Sequence, residues 1–280
     1  MALTAFEPEL ISCATCAVEF GFDRSVLPAR CAICDDERQY VPATGQAWVT
    51  QAELAQISEV HAEQLGSEQW GVTAVNVGIG QTMQVVRTDR GLLLWDPIGL
   101  VDGGTVDFIR SLGPTLAIVA SHPHMYGAQV TWSRALGGAP VLIHAADTGW
   151  VQRRDPVQRE WDGRLRLADG LELLTLGGHF PGSAIVHWAN AAEGAGIVLA
   201  GDTVMVNPDR RTVAFLRSYP NKIPLSGAVT QRIADGFASL KFTQIWSNFG
   251  NAITGRADEL VQDAAKRHIA WVRGDFDDLT

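Results

Sequence analysis

Past residue 50 the chain shifts between a helical and a strand rhythm. Thr50-Gln-Ala-Glu53 has the spacing of a capping box and predicts a helix that runs to about Gly66. Val72–Val77, Thr82–Thr88 and Gly91–Trp95 then read as strands, with Asp89-Arg90-Gly91 turning the chain between the last two. Thr105–Leu112 reads as a short helix stopped by Gly113-Pro114. Downstream, apolar runs of strand length recur at Leu116–Ala120, Pro140–His144, Leu171–Leu176, Ala184–Trp188, Ile197–Ala200 and Phe242–Trp246. Helices are predicted over Gly127–Leu136, Thr230–Leu240 and Arg256–Val272. Strands apolar on both faces, interspersed with helices, predict an α/β layered domain.

Composition narrows the partners. With 46% hydrophobic residues in a 280-residue chain there is material for a sizeable core. Lys and Arg number 22 against 31 Asp and Glu, a formal charge of −9. Such a chain has no general attraction to phosphate backbones or anionic lipid, so neither nucleic acid nor a membrane surface is the expected partner. The longest apolar runs fall far below the ~20 residues of a membrane span. The opening MALTAFEPEL carries glutamates where an export signal would be basic, so a soluble, cytoplasmic protein is expected.

Cys13, Cys16, Cys31 and Cys34 are the 4 cysteines of the chain, arranged as two Cys-x-x-Cys pairs. Two such turns complete the tetrahedron of a structural zinc site. Paired disulfides suit a cytoplasmic chain poorly, and a thioredoxin-like redox pair would need a single motif beside a strand and helix. The segment up to Pro42 is too short to bury much core, so the ion would supply folding stability. Its acids (Glu7, Glu9, Glu19, Asp23, Asp35, Asp36, Glu37) outnumber Arg24, Arg30 and Arg38, the reverse of a nucleic-acid-reading ribbon. A structural or protein-contact module is expected. The division is then 1–45 as a zinc-ribbon-like four-cysteine module, 46–70 as a connecting helix, and 71–280 as the main domain.

Metal-capable residues also follow the apolar strands. His122 and His124 come directly after Leu116–Ala120 in SHPHMYG (Ser121–Gly127), and His179 follows Leu171–Leu176 in GGHFPGS (Gly177–Ser183). Asp202 follows Ile197–Ala200 in AGDTV (Ala200–Val204). Strand ends of a sheet lie along a common rim, and residues i and i+2 of an extended segment point the same way. Three imidazoles and a carboxylate would suit Zn2+, Fe2+ or Mn2+. A lone strand-end histidine can equally be a hydrogen-bonded rim residue.

From about Val72 to Ile269 the order of motifs resembles the metallo-β-lactamase-fold superfamily. A strand ending in aspartate (LLLWDPIG, Leu92–Gly99) is followed by the His-x-His turn, a Gly-His-x-Pro-Gly turn and a strand-Gly-Asp-Thr. More narrowly, CAICDDERQYVPATGQAW (Cys31–Trp48), SHPHMYG, HAAD (His144–Asp147), LGGHFPGS, GDTVMVNPDRR (Gly201–Arg211) and SYPNKIPL (Ser218–Leu225) look like an uncharacterised branch with an N-terminal four-cysteine segment. The resemblance implies a four-layer αβ/βα sandwich with a metal at one edge, and no particular substrate. The chain departs from the superfamily's His-x-His-x-Asp-His motif, since Tyr126 and Gly127 occupy its last two places. The late histidine is also missing from Ser247-Asn248-Phe249-Gly250-Asn251. One metal position therefore keeps His122, His124, His179 and Asp202, while the other has lost its private ligands.

The leading expectation is a mononuclear hydrolase acting on an ester, lactone, thioester or phosphoester through metal-bound hydroxide. Asp202 would serve as ligand or water-orienting base. Tyr126 would hydrogen-bond the water or an oxyanion, or simply pack at the rim; at its ordinary pKa near ~10 it is a poor base. Two rivals stand beside this reading: a non-catalytic metal-binding or interaction protein on a degenerate fold, and an iron-dependent oxygenase. The other histidines are read as structural: His144 at a strand end, His187 on a strand face, His61 in a helix and His268 at the core edge of one. Tyr219 and Lys222, in SYPNKIPL, would either border the pocket or, as the preferred reading, sit in an ordinary loop.

Overall fold

The computed structural model describes residues 9–280. Glu7 and the start of the 1–45 segment lie outside the described residues. The chain divides into two compact units, the first ending at Trp161 and the second spanning Asp162–Thr280.

In the first unit, β1 (Ile11–Cys13) pairs antiparallel with β2 (Trp48–Thr50) and so closes the cysteine segment into a loop. The expected capping box follows: Thr50 accepts from the Glu53 amide and Glu53 reaches back to the Thr50 N–H, opening α1 (Gln51–Ile57). That helix stops well before Gly66. The chain continues as β3 (Val60–Gly66), so the 46–70 segment is only partly helical, and His61 lies on an exposed strand. Ala, Glu, Gln and Leu in VHAEQLG favour helix intrinsically, but six paired positions with the next strand override that weak preference.

β3 is the edge of a seven-stranded sheet completed by β4 (Gln69–Ala74), β5 (Thr82–Thr88), β6 (Gly91–Trp95), β7 (Thr115–Val119), β8 (Val141–His144) and β9 (Gln158–Trp161) in that order. The strands up to β6 are antiparallel, and from β6 onward the pairing is parallel. The parallel steps are crossed by α2 (Gly103–Leu112), capped by Asp102, and α3 (Gln129–Ala135). β5 and β6 are buried along most of their length, as continuous apolar runs require.

The second unit carries a six-stranded sheet. Its members are β10 (Arg164–Ala168), β11 (Leu171–Thr175), β12 (Ala184–Trp188) and β13 (Ile197–Leu199). A single turn, α4 (Ala191–Gly194), separates the last two. Two short ribbons follow, β14 (Met205–Val206) with β15 (Val213–Ala214), and β16 (Leu216–Ser218) with β17 (Ile223–Pro224). α5 (Gly227–Ala238) then leads to β18 (Gln244–Trp246), β19 (Ala252–Thr254) and α6 (Ala257–Arg273). β18 adds parallel to β13, and β19 closes the edge. α5 and α6 bury Ile233, Phe237, Val261 and Ala265 against Ile185, Val198, Phe242 and Ile245.

Candidate metal centres

The four cysteines are free and buried together. Cys13 Sγ stands 3.6 Å from Cys34 Sγ, and Cys16 Sγ 3.7 Å from Cys31 Sγ. A disulfide needs ~2 Å between sulfurs. A zinc tetrahedron with ~2.3 Å bonds has edges near ~3.8 Å, which these separations match. Gln46 ties the cluster together: its Nε2 donates to Cys13 Sγ at 3.2 Å while its Oε1 accepts from the Cys31 N–H at 3.0 Å. Hydrogen bonds from Cys16, Cys31 and Cys34 hold the Cys13 thiol well below its ordinary value, and the same cluster pushes Cys16 up. Such a group sheds all its protons only when a cation replaces them.

The histidine turn is built at the end of β7. Asp96, buried and at φ 58 just past β6, accepts from the Ser121 N–H at 2.6 Å, while its own N–H donates to the Val119 carbonyl. This ties the ends of β6 and β7 together where the chain leaves the sheet. Ser121 Oγ lies 2.9 Å from His122 Nδ1, so Nε2 is the atom which that ring could offer to a metal. Pro123–Met125 then form a 3-10 turn, and the His122 and His124 rings lie 5.0 Å apart, both buried. Tyr126, buried, donates its hydroxyl to the Asp147 carbonyl at 3.1 Å, and burial raises its pKa. Burial, and next the Asp147 charge, keep the phenol protonated, so it is a poor base, and its hydroxyl bonds the Asp147 main chain.

Gly127 explains the broken motif. Its φ is +49, and a Cβ there would lie 2.0 Å from the Pro97 carbonyl oxygen. The last motif position therefore cannot carry a histidine, because main chain fills the space.

In the second unit, His179 and Asp202 form a pair. The turn after β11 is closed by Ser183, whose Oγ accepts from the Phe180 N–H and whose carbonyl accepts from the Leu176 and Gly177 N–H groups. Gly178, at φ +95, holds a backbone conformation that side chains rarely adopt, and a Cβ there would also press on Ile233 Cδ1 at 2.7 Å. The turn buries His179 completely. His179 Nδ1 donates to the Leu216 carbonyl at 3.3 Å, and Nε2 stands 3.6 Å from Asp202 Oδ2. With Nδ1 carrying the proton, Nε2 presents a lone pair to a carboxylate. Two acceptors at that distance need a positive charge between them. Ligands ~2.1 Å from one tetrahedral ion stand ~3.4 Å apart, so the pair fits a metal.

Tyr219, read as a loop residue from sequence, belongs to this centre. Its hydroxyl lies within hydrogen-bonding distance of the Ala214 (3.0 Å) and Asp202 (3.3 Å) carbonyls, and its ring is 5.7 Å from that of His179. Burial and the Asp202 charge push its pKa well up. The SYPNKIPL string was the available signal, but only the β16–β17 ribbon shows why it matters. Lys222 takes a left-handed turn position instead, at φ 58. The remaining histidines have structural partners. His144 Nδ1 accepts from the Ala146 N–H, His187 lies 3.0 Å from the Lys241 carbonyl, and His268 Nε2 is 2.8 Å from the Leu225 carbonyl. Asn248, in the loop where the family pattern has its late histidine, is buried. Among the described residues no helix is long and apolar enough to cross a membrane.

No family model matches the chain. It is 38% identical over 265 residues to the uncharacterised protein YmaE of Bacillus subtilis strain 168, spanning 92% of this chain and 94% of that protein. Among solved structures it resembles VMB-1 (TM-score 0.57, 12% identity, covering 76% of this chain and 98% of that one). It also resembles the metallo-β-lactamase FIM-1 of Pseudomonas aeruginosa in its mono-zinc form (0.52, 16%, 74% and 95%). A B3 metallo-β-lactamase with an active-site glutamic acid gives a TM-score of 0.54 at 17% identity, covering 86% of this chain and 97% of that one. The chain therefore belongs to the family of YmaE and, as its motif order implied, has the metallo-β-lactamase fold.

Proposed function

We propose that the chain is a metal-dependent hydrolase in which His122, His124, His179 and Asp202 hold one ion, and that it cleaves an ester, lactone, thioester or phosphoester. The observation that carries this reading is the His179 pair, an imidazole Nε2 facing a buried carboxylate at 3.6 Å. Two imidazoles, or one imidazole and one carboxylate, are too few to retain an ion alone; together the four would make a donor set of the kind that holds Zn2+, Fe2+ or Mn2+. An ion bound there supplies a Lewis acid and lowers the pKa of water towards ~7. The Leu216 carbonyl accepts from His179 Nδ1 and Ser121 Oγ engages His122 Nδ1, so that Nε2 would be the ligand atom on both rings. Asp202 also offers a carboxylate oxygen to orient a water, while Tyr126 contributes by ordering the chain at Asp147. The mono-zinc form of FIM-1 supports a one-ion state on this fold. The four-cysteine cluster is proposed to hold a structural zinc, and the chain is proposed to work in the cytoplasm on a small molecule.

Metal stoichiometry by mass spectrometry tests the reading. Two ions per chain are expected. The His122→Ala/His124→Ala and His179→Ala/Asp202→Ala variants should each remove the same single ion. If either retains both, the shared site is wrong. Turnover on a panel of lactones, thioesters and phosphodiesters should disappear with His179→Ala. Iron at this position with oxygen consumption would replace the hydrolase by an oxygenase, and a retained ion with no turnover would favour a binding protein.

A further inference from the structure

The cysteine segment is bonded to the histidine turn through one buried carboxylate. Glu19 lies just past the Cys13–Cys16 knuckle, and its backbone N–H donates to the Gly127 carbonyl at 3.0 Å. Its side chain, 5% exposed, accepts from the Val130 N–H at 2.5 Å, the Thr131 N–H at 3.3 Å and Thr131 Oγ1 at 2.7 Å. These are the first amides of α3, which begins directly after the turn. The residue in the cap position, Ala128, has no side chain that could serve them. Glu19 therefore caps α3 from 111 residues away. Arg153, equally buried, neutralises the carboxylate at 2.7 Å and donates to Thr131 Oγ1 at 2.9 Å.

Two further contacts fix the segment against the same unit. Ala17, at φ 59, fits hollows left by Gly78 and Gly99, where a Cβ would stand 2.7 and 2.3 Å from its own. Past Cys34, Arg38 lies over the Trp150 ring at 5.1 Å and is held by Asp36. The short segment has little core of its own, so its shape depends on the thiolate cluster.

We propose that the four-cysteine site controls the histidine turn: an ion held by the thiolates keeps Glu19 on α3, and its loss frees the cap and weakens the grip of His122 and His124 on their own ion. Glu19 is then a positioning residue, and the two sites load in a coupled way, with the coupling equal in both directions. The inference rests on the proposed ion at the histidines.

The test uses the full chain with two readouts, amide exchange at Val130 and Thr131 and the dissociation constant of the histidine-site ion in chelator competition. Glu19→Gln should keep the thiolate-bound ion, exchange these two amides at least about tenfold faster, and bind the second ion about tenfold more weakly, the lower end of outer-shell effects. Exchange in the β5 and β6 core, at Val85 and Leu93, should not change. Glu19→Gln/Arg153→Met removes the buried charge together with its partner and should behave alike. Cys31→Ser/Cys34→Ser, or wild-type protein whose thiolates are titrated with p-hydroxymercuribenzoate should that variant not fold, should reproduce both effects. His122→Ala/His124→Ala should keep the slow exchange. If wild-type protein binds no ion at the histidines, the hydrolase reading fails and the coupling proposal falls with it, even where exchange still responds. Unchanged exchange, or faster exchange with an unchanged dissociation constant, overturns the coupling alone.

Discussion

Gly127→Ala is the sharpest test of why the histidine motif is truncated. At φ +49 any side chain costs ~1–2 kcal/mol through its clash with the local backbone. The added methyl would also stand 2.0 Å from the Pro97 oxygen, 3.0 Å from its carbonyl carbon and 3.1 Å from the Ile98 carbonyl carbon. All three are main-chain atoms, so the collision is relieved only by moving the backbone beside Asp96, which adds ~1–3 kcal/mol. The total is roughly 2–5 kcal/mol, above the ~1 kcal/mol of an average substitution. At ~2–4 °C per kcal/mol, the melting temperature should fall by about 10 °C in mid-range. Gly137→Ala is the control: its φ is +82, but no atom lies within 4 Å of the new methyl, so only the conformational cost applies. Thermal and urea unfolding of both variants beside wild type measure the difference. Equal losses for the two would refute the argument that main chain occupies the motif's last position. Gly127→His, by the same reasoning, should unfold more easily and gain no second ion.

Other consequences can be checked separately. Cys13→Ser/Cys16→Ser should lose the thiolate-bound ion and become sensitive to proteolysis in the 9–50 segment; a resistant variant would show that the ion does not fold it. Glu172 is held below its ordinary 4.5, first by Arg164 and then by His187. Its ionised form is favoured in the folded chain, so this stability is present above pH 4.5 and is lost as pH falls through the lowered folded value. Urea midpoints between pH 3 and 6 should fall less steeply for Glu172→Gln than for wild type, and parallel curves would exclude the effect. Tyr126→Phe removes the hydrogen bond to the Asp147 carbonyl and should cost ~1 kcal/mol. Because the phenol stays protonated, the pH profile of any turnover should be unaltered; loss of an alkaline limb would return Tyr126 to acid–base chemistry.

Much of this was legible in the chain because burial and chemistry coincide. Gly91–Trp95 is a continuous apolar run, Ala184–Trp188 is one broken only by His187, and both fold as strands with those bounds. The cysteine spacing and the residues after β7, β11 and β13 offered the candidate donors, since a metal-capable side chain after an apolar strand stands out. What escaped was governed by pairing instead of pattern. β3 carries helix-favouring residues on an exposed edge, and only its ladder to β4 makes it a strand. β10 alternates Arg and Leu but was masked by neighbouring charge. Tyr219 and Glu19 act through contacts with chain far away in sequence, and no local spacing announces them.

The chain differs from the superfamily pattern it resembles in carrying a cysteine segment and in lacking the last motif residues, and within the first unit these two features are structurally joined. Gly127 is pressed on one side by Pro97, while its carbonyl accepts the Glu19 N–H on the other. Ala17 of the same segment fills the space above Gly99, two residues past Pro97. The segment thus packs against both strands of chain that enclose the motif's end. A histidine at position 127 would have to displace Pro97 and would disturb the bond that seats Glu19 on α3. An aspartate in place of Tyr126 would give up the hydroxyl that orders Asp147 and would bury a new charge in a turn already closed by main chain. Restoring either ligand alone therefore works against the contacts that hold the remaining histidines, which is a physical reason for the turn to keep His122 and His124 and nothing after them.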